Sequence, residues 1–310
     1  MITVIAGGTG SIKIIRGLAS CTTNLSIISN IGDNFWFNGL YICPDIDTCI
    51  YGLAGILDKE RGWGIKNDTF RYLDCMKLLG LDHWFKIGDM DFVTHFIRTK
   101  MLSKGFSLSN IIKWIALDHY NINNNIIPVS DTHVETRIVT DKGDMNIQEF
   151  WVKNKAKPRV LDVYYKNIEK AKCNKDALRI IRSSDIIIIA PANPISSISP
   201  ILSLPQIKAE LIKQRGKIVA ISPIIGNKAI SGPAVKYLKA KGIESSVLGI
   251  ANFYSQLASK LVIDKSDSNF SKDIMKLDVS SFETNIMMNN TKEETRLASF
   301  ILKVMNYQWK

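Results

Sequence analysis

Ile2-Thr-Val-Ile-Ala-Gly-Gly-Thr-Gly10-Ser-Ile-Lys13 opens the chain. A short apolar run enters a glycine-rich turn, and the residues after the turn can begin a helix. An α/β protein builds a phosphate cradle in this way. The strand brings the backbone to the edge of a sheet, glycine lets it turn and approach an anion closely, and the helix aims its free N–H groups at that anion. The pattern predicts a strand over residues 2–5, a helix over 11–19, and an anion site made by Gly7, Gly8, Thr9 and Gly10. It is neither the dinucleotide fingerprint G-x-G-x-x-G nor the P-loop. Lys13 lies just inside the helix, within reach of a phosphate. A tight strand-to-helix turn without a ligand is the plainer alternative.

Outward from this turn the α/β rhythm continues. Leu25–Ser29 reads as a second strand, residues 30–44 as an irregular aromatic-rich loop, and Asp45–Leu57 as a helix with acidic residues in its first turn. Periodic apolar positions predict helices over 69–79, 89–103 and 108–118. Alternation predicts strands over 134–140, 146–152 and 160–164, with Asp141-Lys-Gly143 as a hairpin turn. The α/β pattern returns with a helix at 176–182, strands at 185–190 and 217–222, and helices at 207–214 and 233–239. Strands are expected at 247–250 and 261–263, and an amphipathic helix at 292–305. The expected fold is α/β and Rossmann-like: one mostly parallel sheet built from both ends of a single domain over 1–310. A helical and antiparallel insertion, about residues 60–165, caps the site.

With 46% hydrophobic and 22% charged residues in 310, the chain can bury a sizeable core. No run approaches the ~20 apolar residues of a membrane span, and no secretory signal opens the sequence. A soluble cytoplasmic protein without a membrane partner is expected. Five cysteines without a C-x-x-C pair indicate neither a disulfide framework nor a thiolate zinc site. The formal charge of +11 points to an anionic partner. The lysines are scattered, which favours a site for a small polyanion over nucleic acid.

Two groups of residues carry candidate chemistry. Asp33 and Asn34 follow the second strand, so they reach the same sheet edge as the glycine turn. Asp45 and Asp47 bracket one residue at a helix start. Carboxylates facing a phosphate site repel the ligand unless a hard cation lies between them, and Mg²⁺ takes one or two carboxylates with phosphate oxygens and water. Capping of the helix by Asp45 or Asp47 is the alternative. Phe35 and Trp36 lie in the aromatic loop, where rings either pack in the core or stack on a flat heterocycle. Asn193, Ser196, Ser197 and Ser199 follow the most apolar strand, Ser222, Gly226 and Lys228 follow the next, and Ser231-Gly-Pro233 comes soon after. An uncharged loop of this kind can read a base edge, while Lys228 and its glycine turn can hold phosphate. No G-x-S-x-G, Ser-His-Asp or Cys–His set is evident, so metal-assisted phosphoryl transfer is favoured over covalent catalysis.

These segments occur together, in order, in one family. A-G-G-T-G at 6–10, N-I-G-D-N-F-W-F-N-G-L at 30–40, P-D-I-D-T at 44–48, G-W-G at 62–64 and W-F-K-I-G-D-M-D at 84–91 come first. T-H at 94–95, P-V-S-D at 128–131, N-P-I-S-S-I-S-P-I-L at 193–202, S-P-I-I-G at 222–226 and S-G-P-A at 231–234 follow. The sequence resembles the CofD family, the 2-phospho-L-lactate transferases of coenzyme F420 biosynthesis, over nearly its whole length.

The resemblance implies a Mg²⁺-dependent transfer. The terminal ribityl hydroxyl of the deazaflavin Fo attacks the phosphorus of a guanosine diphosphate adduct of lactate or a related three-carbon acid. GMP leaves, and F420-0 or its dehydro form is made. Gly7–Gly10, Lys13 and Lys228 would then hold the diphosphate. Asp33, Asp45 and Asp47 would serve catalysis, with Asp45 and Asp47 as metal ligands. Asn193 and Ser196–Ser199 would read the guanine, and Phe35, Trp36, residues 83–91 and His95 would form the deazaflavin pocket. A homodimer is also implied. Two departures stand out: Asn34 where the family usually has a second aspartate, and Ser11-Ile12 where it often has Gly-Ala before the lysine. The competing reading is a non-catalytic regulator on the same fold that binds a nucleotide or sugar nucleotide.

Overall fold

The computed structural model describes residues 1–230 and 232–307. Seven parallel strands form the central sheet: β1 (Ile2–Ala6), β2 (Leu25–Ser29), β3 (Asn125–Pro128), β4 (Ile186–Ile189), β5 (Ile218–Ile221), β6 (Lys260–Asp264) and β7 (Ser280–Thr284). Their order across the sheet is β7-β6-β5-β4-β1-β2-β3. β1 pairs with β2 from Ile2↔Leu25 to Ala6↔Ser29 and with β4 from Ile2↔Ile186 to Ile5↔Ile189. Helices cover both faces, which is why β4 is four consecutive isoleucines, all buried. The strand order reverses between β1 and β4. The crevice beyond their C-terminal ends is where a doubly wound sheet binds its ligand.

Helices α1 (Gly8–Ala19), α2 (Pro44–Leu53) and α3 (Asp89–Ser103) carry candidate site residues, and α4 (Thr291–Val304) packs on the C-terminal half of α1. α1 packs between α2 and α4. The Arg16 guanidinium pairs with Glu294 on α4, and both side chains are largely buried. No helix of the described residues is long and apolar enough to cross a membrane.

Several local expectations are corrected. α1 begins at Gly8 rather than Ser11, so the helix starts inside the glycine run. Residues 30–44 are not irregular: Phe35–Phe37 and Leu40–Ile42 form a hairpin. Asn38 and Gly39, both at positive φ (48° and 78°), make its turn, the Asn-Gly pair that two-residue hairpin loops demand. The expected strand at 146–152 is displaced. Gly143–Asn146 pairs with Glu135–Thr140, and Glu149–Lys153 is a helical turn. Asn146 Oδ1 accepts from the Glu149 N–H (2.8 Å) while Glu149 Oε2 accepts from the Asn146 N–H (3.0 Å), a reciprocal cap that ends the strand.

Residues 247–250, expected as a strand, belong to helix Val247–Tyr254, capped by the Ser246 hydroxyl on the Gly249 N–H. Two strands of the seven-stranded sheet have no counterpart among the expected ones. β7, Ser-Ser-Phe-Glu-Thr, is polar at every position but Phe282 and gives no apolar signal. β3 follows an asparagine-rich run and ends on Pro128, a residue that an edge strand tolerates. Its place in the main sheet means that residues 60–165 contribute to the sheet as well as covering it. Glu135–Thr140, Gly143–Asn146 and Val160–Lys166 form the antiparallel part.

Candidate functional site

The site begins at the β1–α1 turn. Gly7 is buried, while Gly8, Thr9 and Gly10 are partly exposed. A Cβ at Gly7 would lie 2.8 Å from Ser197 Cβ and 2.9 Å from both Asn30 Cβ and the Ser197 carbonyl oxygen, so only glycine fits between these loops. Gly8 adopts φ +70°, which an L side chain resists. No side chain from the preceding residue caps α1. The Ser11 hydroxyl accepts from the Gly7 N–H (3.0 Å) and donates to the Gly7 carbonyl oxygen (2.6 Å). The Ser11 departure thus closes the turn on itself and takes the Gly7 N–H out of the cradle. The first-turn N–H groups of Thr9 and Gly10 have no intrahelical acceptor and remain for an anion. Lys13 is half-buried on the same helix and makes no ion pair among the described residues.

The loop after β2 meets this turn through Asn30, which was passed over as a site residue. Its Oδ1 accepts from the Gly32 N–H (2.8 Å). Its Nδ2 faces Asp45 Oδ2 at 2.8 Å, Asp33 Oδ1 at 3.2 Å and the Ser196 carbonyl oxygen at 3.3 Å. One amide therefore ties together the β2 loop, α2 and the β4 loop. Only the N-I-G-D spacing hinted at it: an Asx turn directly after a strand.

Asp33 and Asp45 are buried side by side. Burial raises the Asp45 carboxyl to about 6, against the pull of Asn30 and the Gly8 N–H. Burial and the charge of Asp45 raise Asp33 well above the carboxylate range. Two carboxyls so placed cannot both ionise cheaply without a positive charge between them. Buried polar atoms close to this loop also lack partners among the described residues: Ser29 Oγ, Asn34 Oδ1, and Thr136 Oγ1 beside Gly32. Unsatisfied acceptors and a strained carboxyl pair fit a hard cation with oxygen ligands. No cluster of three or more His, Cys, Asp or Glu suited to a metal occurs among the described residues. A two-carboxylate seat suits Mg²⁺, which keeps waters and substrate phosphates as its other ligands.

The expected partnership of Asp45 with Asp47 is corrected. Two residues apart on a helix, they point to different faces. Asp45 turns to Asn30 and Asp33. Asp47 turns to α3, where Arg98 Nη2 donates to its Oδ1 and His95 Nδ1 lies 3.5 Å from its Oδ2. His95 is likewise not free to line a ligand pocket. It is buried, and its Nε2 is 3.3 Å from Asp91 Oδ1. Burial raises Asp47. Burial also pushes Asp91 up, but His95, Tyr51 and Arg98 together outweigh it and hold that carboxyl below its ordinary value.

The aromatic residues divide by strand alternation. Phe35, 3% exposed, packs with Phe37, Trp84 and Phe85 in a core of its own. Trp36, 54% exposed, leans on Tyr41 with ring centres 5.0 Å apart and presents its ring to solvent. Asn34 is buried, with Nδ2 3.5 Å from the Tyr41 hydroxyl.

In the second half, Asn193 Oδ1 accepts from the N–H groups of Ile195 (3.0 Å) and Ser196 (3.2 Å), so its carbonyl caps a turn and only its amide nitrogen is left to read a base. Ser196 and Ser197 are buried, one against Asn30 and the other against the glycine turn. Ser222 closes its own loop through Ile224. The Gly226 N–H is committed to both Asp267 oxygens (3.0 Å each), so this turn offers no N–H to phosphate there. Lys228 is exposed on the hairpin Ile224–Ile225 and Lys228–Ala229. Ser231 lies outside the described residues.

The family model described as 2-phospho-L-lactate transferase CofD matches residues 2–301. A 2-phospho-L-lactate transferase of Methanocaldococcus jannaschii is 42% identical over 311 residues, covering 98% of this chain and 97% of that protein. One from Methanococcoides burtonii is 39% identical over 303 residues, covering 97% and 98%. Crystal structures of a Bacillus halodurans protein of the UPF0052 family superpose with a TM-score of 0.64 at 16% identity, covering 97% of this chain and 98% of that one. That last likeness is one of fold. Identity at this level over full length, with the glycine turn and the carboxylate loops in one crevice, leads to one conclusion: the chain belongs to the 2-phospho-L-lactate transferase CofD family and is a transferase.

Proposed function

We propose that the chain moves a phospholactyl group, or the related phosphoenolpyruvyl group, from a guanosine diphosphate-linked donor to the ribityl hydroxyl of the deazaflavin Fo. The hydroxyl oxygen forms a bond to the acid-bearing phosphorus, the phosphoanhydride bond breaks, and GMP leaves with the bridging oxygen. F420-0 or its dehydro form results. The observation that carries this reading is the buried Asp33–Asp45 pair set against the N-terminus of α1. Negative carboxylates beside a phosphate cradle make sense when a cation joins them to the phosphates.

Asp33 and Asp45, with Asn34 Oδ1 near at hand, would hold Mg²⁺, which when bound neutralises charge on the diphosphate. The N–H groups of Thr9 and Gly10 and the Lys13 ammonium bind that diphosphate. Asn30 locks the two carboxylates and the Ser196 loop in register. The Asn193 amide meets the guanine, and the exposed Trp36 ring stacks on the flat deazaflavin. Asp47, with Oδ2 unpartnered, orients the attacking hydroxyl and takes its proton. In transfers of this kind positioning and charge neutralisation do most of the work. A homodimer is part of the reading on the family resemblance.

Incubation of the purified chain with Fo, guanosine diphospho-lactate and MgCl₂ tests it: GMP appears, and EDTA stops it. No GMP with any three-carbon donor refutes the transfer. Donor binding without GMP release leaves the regulator reading in its place.

A further inference from the structure

Behind Asp47 lies a buried charge cluster that the proposed reaction does not itself consume. Asp91, His95 and Arg98 occupy one face of α3 at helical spacing. Arg98 is fully buried; its Nη1 donates to the Tyr41 carbonyl oxygen (3.2 Å) and lies 3.2 Å from His95 Nδ1. A guanidinium can only donate, so His95 Nδ1 presents its lone pair and the ring proton sits on Nε2. That proton faces Asp91 Oδ1, which also accepts from the Tyr51 hydroxyl (2.7 Å). His95 then has no proton for Asp47 Oδ2, although the two atoms are 3.5 Å apart.

Asp47 Oδ2 is thus a buried carboxylate oxygen without a donor, and among the described residues no other carboxylate oxygen is left so. An ion pair built only for stability satisfies both oxygens, because an unmet buried acceptor costs more than a met one returns. Here Arg98 Nε is itself buried without a partner, and His95, 3.5 Å from Oδ2, is held in the tautomer that withholds its proton.

We propose that Arg98 and His95 are positioning residues for the transfer: Arg98 grips Asp47 by Oδ1, and His95, held as an acceptor, keeps Oδ2 bare for the hydroxyl of the acceptor substrate. This inference rests on the function proposed above. It assigns Asp91 and Tyr51 the task of keeping the His95 proton on Nε2.

The experiment is a kinetic cycle on the full chain with Fo, the guanosine diphosphate-linked donor and Mg²⁺. Arg98→Met, Arg98→Lys and His95→Gln are compared in the native and Asp47→Asn backgrounds, with thermal melts alongside. Loss of a positioned proton acceptor costs about 10²-fold or more. Arg98→Met should lower kcat by that order with the donor KM within about threefold, and Arg98→Lys should recover part of it. In the Asp47→Asn background the same changes should cost less than about threefold, since nothing is left to position. If Arg98→Met does not fold, Arg98→Lys and His95→Gln carry the comparison. Equal losses in both backgrounds, or wild-type kcat in Arg98→Lys and His95→Gln, overturn the inference while wild-type turnover upholds the transfer. A wild-type chain that never releases GMP overturns both.

Discussion

Replacing Asp45 with Asn should make the metal-free protein less sensitive to pH while abolishing turnover. The Asp45 carboxyl rises from 3.8 to about 6 on folding. Its native form therefore holds a proton more tightly than the unfolded chain does. The associated stability is complete below about pH 3.8 and is lost as pH rises through about 6. A shift of about two units corresponds to about 3 kcal/mol, at ~1.4 kcal/mol per unit. Asp33, raised by burial and by Asp45, adds in the same direction.

Asn in place of Asp45 carries no charge, so this loss disappears. It also turns one N–H₂ toward donors, Asn30 Nδ2 and the Gly8 N–H, at a cost of roughly 1–2 kcal/mol. Near pH 4 the variant should be less stable than the wild type by about that amount. Near pH 7.5 in EDTA it should be equal or more stable by about 1 kcal/mol, a melting shift of about 2 °C for a domain of this size. Mg²⁺ should raise the wild-type melting temperature at pH 7.5 and leave the variant unmoved. Denaturation series at pH 4.5, 6 and 7.5, with and without Mg²⁺, read all of this. Parallel pH profiles for the two proteins would refute the reasoning, because they would mean that Asp45 titrates alike folded and unfolded.

Gly7→Ala places a methyl within 2.9 Å of the Ser197 and Asn30 loops, so it should destabilise by about 1–3 kcal/mol in denaturant melts and weaken GDP binding by calorimetry. Ser11→Gly releases the Gly7 N–H and should tighten GDP binding while lowering the melting temperature; unchanged affinity would show that this N–H never faces the anion. Trp36→Ala should raise the KM for Fo with the melting temperature within a degree or two, whereas Phe35→Ala should cost about 3–5 kcal/mol of stability as a core truncation. Asp47→Asn should lower kcat and leave Mg²⁺ binding by the apo-protein intact, unlike Asp33→Asn.

The parts legible in the sequence are those governed by neighbours along the chain. The strand–glycine–helix opening, the isoleucine run of β4 and the amphipathic terminal helix follow from apolar period and turn chemistry. The ordered motifs place the chain in its family for the same reason: each is a contiguous run. Where reading failed, a local signal was outweighed. The Asn38-Gly39 hairpin was hidden by aromatic residues on both sides, and residues 247–250 looked like a strand because β-branched and aliphatic residues also line a buried helix. Asn30 stayed unnoticed because its role lies in three partners, 3, 15 and 166 residues away.

The sequence by itself determined that a glycine turn at residues 7–10 would meet carboxylate-bearing loops at one sheet edge. Parallel strands deliver their C-terminal loops to the same side, and only glycine lets backbones approach as Gly7 approaches Ser197. Which aspartates act together was decided by the tertiary structure alone. Helical geometry turns Asp45 and Asp47 apart, but only the packing of α2 against the β2 loop on one side and α3 on the other gives Asp45 to Asp33 and Asp47 to Arg98. A pairing between charges far apart in sequence is set by which faces the core brings together, and no local pattern encodes it.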